Sequence, residues 1–123
     1  MEEQFSQESV NAMIAWLPKF KAGDFIDAEK YYKKTGQNLD VVNELNTQIH
    51  TSGFIMIGFD WIDWMSKEKN DLAFLESADM ETLRKLLTVF ARLDRFSGGS
   101  FASKCTNGHI EAVIERIRSI SID

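Results

Sequence analysis

The stretch DMETLRKLLTVFARLDRF, residues 79–96, decides the fold. Leu83, Leu86, Leu87, Phe90 and Leu93 recur at the spacing of one α-helical face. Asp79 stands just before that pattern, where a carboxylate accepts from the free amides of a first turn. Glu81 and Lys85, four apart, can pair on the outer face. Arg92 and Arg95 lie at the far end, where cations complement the helix dipole. The helix is expected to end near Phe96, with Gly98-Gly99 as its stop. A helix with one apolar stripe must bury that stripe against something else.

The flanking segments supply the partners. Downstream, Ser100 to Thr106 reads as a short turn of helix closed by Asn107-Gly108. A last helix runs from about His109 to Ser119 on the stripe Ile110, Val113, Ile114 and Ile117, with Glu115 and Arg118 pairing outside. Upstream, Asp60 caps a helix carrying Trp61, Trp64, Met65 and Glu68, and Asn70-Asp71 breaks it before a second piece from Leu72 to Ala78. FIMIGF, residues 54–59, is too short for a helix. A lone strand would leave its backbone groups unsatisfied, so it reads as a buried connector. Asn38 caps a helix with Leu39, Val42, Leu45 and Ile49 on one face, stopped by Ser52-Gly53. EKYYKKTGQ, residues 29–37, reads as a short helix or an extended piece closed at Thr35-Gly36, and Phe25 and Ile26 read as core anchors. A first helix spans Ser9 to Phe20 with Ser9 as cap; Pro18 should kink it or end it at Leu17. The expectation is an all-α fold, a compact bundle of five or six helices, with residues 1–123 forming one domain.

The totals agree. A chain of 123 residues, 44% hydrophobic and 11% aromatic, builds one small core and is not a disordered tail. Its net charge of −5 repels phosphate backbones and disfavours generic nucleic-acid binding. One Cys excludes an intrachain disulfide and points to a reducing compartment. MEEQFSQES has neither the basic nor the apolar region of a signal peptide, and no apolar run is long enough to span a bilayer. The expected location is the cytoplasm, with no membrane contact.

Three motifs in series carry a resemblance: GFDWIDW (58–64), ADMETLRKLLTVFARLDRFSGG (78–99) and ASKCTNGHIEAVIERI (102–117). Together they resemble a family of small bacterial proteins known only as a domain of unknown function. The resemblance covers roughly residues 52 to 120, and WLP at 16–18 also fits it. Ser97-Gly98-Gly99 departs from the family pattern, which has a Cys or similar residue, then an acidic residue and Gly. The resemblance implies a shared fold and supplies no activity.

Candidate site residues concentrate between 91 and 110. Arg92 and Arg95 could grip a carboxylate or phosphate, although dipole complement and pairing with Asp94 explain them without a ligand. GGSFASKC is not a phosphate loop, because the spacing fails and no strand precedes it. Lys104 lies one turn beyond the glycines. Cys105 and His109 would share a face only on an unbroken helix, and Asn107-Gly108 breaks it, so a small buried Cys and a first-turn His are the simpler readings. With His50 remote, no metal site and no cofactor are expected. Asp60 and Asp63 read as a cap and a first-turn acid. Trp61 and Trp64 read as core, or, if exposed, as a protein-binding anchor. Lys30, Tyr31, Tyr32, Lys33 and Lys34 interleave charge with rings, a pattern that can stack single-stranded nucleic acid, but the patch is small.

The sequence therefore points to a small protein-interaction module with a protein partner and no evident catalysis. Its candidate binding residues are Trp61, Trp64, Arg92, Asp94, Arg95, Lys104 and His109. Two other readings stand beside it. One is an acidic phage or mobile-element inhibitor that presents carboxylates to a nucleic-acid-binding defence enzyme. The other is an enzyme using Asp94, Arg95 and His109 beside Cys105.

Overall fold

A computed structural model describes residues 5–56, 58, 60, 75, 77–94 and 98–121. Among these the elements are α1 (Gln7–Ile14), α2 (Leu17–Lys21), α3 (Ala28–Thr35), α4 (Asp40–Thr51), α5 (Met80–Leu93), α6 (Ser100–Thr106) and α7 (His109–Ser121). The fold is all-α, and no strand occurs among the described residues. No helix is long and apolar enough to cross a membrane. The helix expected to follow Asp60, with Trp61 and Trp64, lies outside the described residues, as does Arg95.

Proline chemistry separates α1 from α2. Pro18 has no N–H for the Ile14 carbonyl, and its ring crowds that oxygen. The break therefore falls after Ile14, a turn before the expected Leu17, while Ala15 and Trp16 keep right-handed helical angles. With α1 and α2 counted as one interrupted helix, six helices make up the described part. Ser6, not Ser9, occupies the first cap. Its amide donates to Ser9 Oγ at 3.1 Å, so Ser9 reaches back from within the helix.

The helix 80–93 forms as its pattern requires. Asp79 Oδ1 accepts from the Thr82 amide at 2.9 Å, and Leu83, Leu86, Leu87 and Phe90 are buried. Among the described residues it ends at Leu93, before the expected Phe96; Asp94 keeps right-handed helical angles while its carboxylate serves the next helix. Helix α7 contributes Ile110, Val113, Ile114 and Ile117, all fully buried, and packs on α1, α2, α5 and α6. Lys21 fastens α2 to it through Glu111 and Glu115, at 3.3 and 3.1 Å. On α4, Val42, Leu45 and Ile49 face the same core. Its cap position is Leu39 rather than Asn38, whose amide instead donates to Asn43 Oδ1 at 3.4 Å.

Ile26 corrects an expectation. Phe25 is 2% exposed and stacks on Phe20 with ring centroids 4.1 Å apart, whereas Ile26 is 68% exposed. The turn between α2 and α3 admits one of these neighbours to the core and turns the other to solvent.

Among the described residues of the connector after α4 none is in a strand, and Phe54 is buried, Ile55 and Met56 are partly buried and Gly58 is exposed. Phe54 is fully enclosed and meets Phe5 edge-on at 4.9 Å. Side chains of α5 satisfy the connector's backbone: Arg84 Nη2 donates to the Gly53 carbonyl at 2.9 Å. Thr88 Oγ1 accepts from the Met56 amide at 3.0 Å and donates to the Arg84 carbonyl at 2.8 Å. Thr88→Val keeps the volume and removes the acceptor. It should lower the unfolding free energy by about 1–3 kcal/mol in chemical denaturation, the cost of a stranded amide; no loss would show that the threonine merely fills space.

Candidate functional site

The junction from α5 to α6 is built around three local requirements. Asp94 Oδ1 accepts from the Phe101 amide at 3.0 Å, so its carboxylate caps α6. Gly99 has φ of 88°, a left-handed conformation that disfavours other residues. Both glycines also lie beneath the Tyr32 ring. A Cβ on Gly99 would come within 2.7 Å of Tyr32 Cδ1, and one on Gly98 would collide with the Tyr32 hydroxyl. The glycines thus leave room for a tyrosine of α3, besides ending one helix and starting another.

A second attachment binds α6 to α3 at the opposite end. Thr106 Oγ1 accepts from the Glu29 amide at 2.9 Å and donates to the Phe25 carbonyl at 3.0 Å. Tyr32 on the glycines and Thr106 at the start of α3 hold the two helices side by side. Between them lies a cleft of about 340 Å³. Glu29, Tyr32 and Lys33 line one wall, Ser100, Ser103 and Lys104 the other, and Leu93 also lines it.

The predicted residues divide accordingly. Asp94 is a helix cap. Lys104 does line the cleft. It is half-buried with Nζ 5.5 Å from the Phe90 ring centroid, and burial holds its ammonium below the usual lysine range. Arg92 is partly buried, and its Nε has no hydrogen-bond partner among the described residues. His109 opens α7, where its amide donates to Asn107 Oδ1 at 3.1 Å. Burial pushes the imidazole below its ordinary value, and the Lys104 charge pushes it the same way. Trp61, Trp64 and Arg95 lie outside the described residues.

Cys105 and His109 sit on separate helices, divided at Asn107-Gly108 as their spacing implied. The thiol is 2% exposed. Burial, and then the Asp94 charge, raise it far above the ordinary thiol range, so a thiolate nucleophile is disfavoured. Among the described residues no three His, Cys, Asp or Glu side chains gather as metal ligands.

The sequence reading missed Tyr32, Ser100, Ser103 and Leu93 as a set. A partial signal was present, since 29, 32 and 33 share one helical face, as do 100, 103 and 104. Nothing in the spacing says that these two faces meet.

Two outcomes test this geometry. Gly99→Ala should destabilise by about 1–3 kcal/mol from backbone strain alone, with a further loss from collision with Tyr32. In a double-mutant cycle with Tyr32→Ala, the collision part should vanish and the strain part remain. Full additivity would refute the ring-on-glycine contact. Titration of His109 by NMR should give a value below about 6.5. Its folded value is depressed, so the unfolded chain takes up the proton first. Stability should fall as pH drops from about 6.5 toward the folded value, and His109→Gln should remove that slope.

Comparison with known proteins adds one finding. A model described as a family of unknown function (DUF6508) matches residues 5–123. The match reaches back through α1 to α4, well beyond the segment 52–120 that carries the motif resemblance. No curated protein and no solved structure matches the chain. With nearly its whole length covered, the chain belongs to the family of unknown function DUF6508.

Proposed function

We propose that this chain is a cytoplasmic protein-interaction module without catalytic activity, and that it docks through the outer face of α3. The observation that carries the reading is the placement of exposed apolar groups. Among the described residues, Ile26 and Tyr31 are the exposed large hydrophobic side chains, at 68% and 38%. Tyr31 lies on one helical face with Lys30 and Lys34, both exposed, and Ile26 stands at the foot of the same helix. A basic, apolar-anchored face on a chain of net charge −5 suits a partner that offers carboxylates around an apolar contact.

The way the 92–109 junction uses its reactive groups supports a non-catalytic role. Asp94 caps a helix and the Cys105 thiol is buried and held protonated. The charge pattern favours this reading over display of one acidic face. Glu29, Glu81, Glu111 and Glu115 each lie within 4 Å of a lysine, so these four carboxylates are paired with neighbouring cations rather than displayed alone.

A photo-crosslinking amino acid at position 31, in cells that make the protein, should give one discrete adduct. The adduct should be sensitive to protease and resistant to nuclease, and should disappear on Lys30→Glu with Lys34→Glu. The same probe at Ala15, exposed at the end of α1, should not give it. Equal labelling at both positions would defeat the proposal. A nuclease-sensitive adduct would instead favour stacking of single-stranded nucleic acid.

A further inference from the structure

The inner face of α3 differs from its outer face. The outer face meets solvent, while Glu29, Tyr32 and Lys33 face the cleft against Ser100, Ser103 and Lys104. We propose that this cleft binds a small ligand bearing an oxyanion, a carboxylate or a phosphate monoester, with Lys104 supplying the charge and Tyr32, Ser100 and Ser103 the hydroxyl donors.

Four observations converge on the cleft. First, Lys104 has no carboxylate within ion-pair distance among the described residues; its contact is the Phe90 ring. A half-buried ammonium without a counterion lacks much of the stabilisation that an anion would supply. Second, no protein hydrogen bond engages the side-chain hydroxyls of Tyr32, Ser100 or Ser103 among the described residues, so three donors remain available on the lining of one cavity. Third, the size admits a compact ligand. About 340 Å³ lies at the small end of ligand pockets, near 300–1,000 Å³ in general, which suits a compact metabolite rather than a peptide. Fourth, the acidic groups nearby are engaged. Glu29 Oε2 is 3.7 Å from Lys33 Nζ, and Asp94 accepts from the Phe101 amide.

The Phe101 amide at the start of α6 takes no part in this site, since Asp94 already accepts from it. Recognition comes from the lateral faces of two helices, and the charge is that of Lys104. Binding should therefore also draw the Lys104 ammonium back up toward its ordinary range, because an adjacent anion offsets the burial that lowers it. The proposal does not depend on the docking reading, which uses positions 30, 31 and 34.

Amide NMR titrations of the full chain with inorganic phosphate, glycerol 3-phosphate and succinate, against chloride at matched ionic strength, test it. The expected result is saturable shifts confined to residues 29–33 and 99–104. Phosphate-bearing probes saturating below succinate would identify a phosphate monoester, and the reverse order a carboxylate. Lys104→Met should weaken binding about tenfold or more, since a charge-assisted contact is lost. Ser103→Ala should weaken it severalfold. If Lys104→Met fails to fold, reductive methylation supplies the readout on the native chain, where the Lys104 methyl resonance should move on saturation. Shifts that are linear and identical to those of chloride, or binding undiminished without the 104 charge, would overturn the proposal.

Discussion

The contact between the Tyr32 ring and the Gly98-Gly99 backbone is the constraint on which this arrangement depends. Chain reversal after α5 could be made in many ways. Here the absence of a Cβ at these two positions lets an aromatic ring lie directly on the turn. The positive φ of Gly99 then sets the direction in which α6 leaves. That direction brings Thr106 to the start of α3, where its hydroxyl bridges the Phe25 carbonyl and the Glu29 amide. Helix α3 needs both attachments, because within it only Ala28 is buried outright. Polar contacts and one ring on glycine take the place of an apolar stripe.

The core was legible because burial follows periodicity. Leu83, Leu86, Leu87 and Phe90 on α5, and Ile110, Val113, Ile114 and Ile117 on α7, recur at helical spacing, and the structure encloses all eight. Caps were read less well. Asp79 stood out because a carboxylate precedes a strong stripe. Ser9 and Asn38 were displaced because neighbouring residues can also take the non-helical cap conformation, and the choice rests on packing that the local pattern does not contain. Ile26 failed for a related reason. Within the pair Phe25-Ile26 both residues are apolar, and only the path of a turn decides which one enters the core.

The candidate site was least legible because its logic is tertiary. GGSFASKC could be read as helix punctuation, and Gly99 does play that part. The partner that gives the glycine pair its second purpose is Tyr32, more than sixty residues earlier in the chain. The tetrad of Tyr32, Ser100, Ser103 and Lys104 comes from two short helices that no motif links. Asp94 shows the converse. As a carboxylate among arginines it attracts a functional reading, yet its role is to satisfy an amide seven residues on.

The two faces of α3 are not independent in energy. Local opening is cheapest where few apolar contacts hold an element, and α3 is such an element. Its outer lysines and Tyr31 stand on the same short helix that the contacts to α6 hold in place. Any occupant of the cleft adds contacts to Tyr32 or Lys33 on that inner side and so favours the helical, attached form by mass action. By reciprocity, a partner that recognised the ordered outer face would tighten an occupant of the cleft by the same factor. A helix held on by a ring on two glycines and by one threonine is therefore suited to pass a binding event from one of its faces to the other.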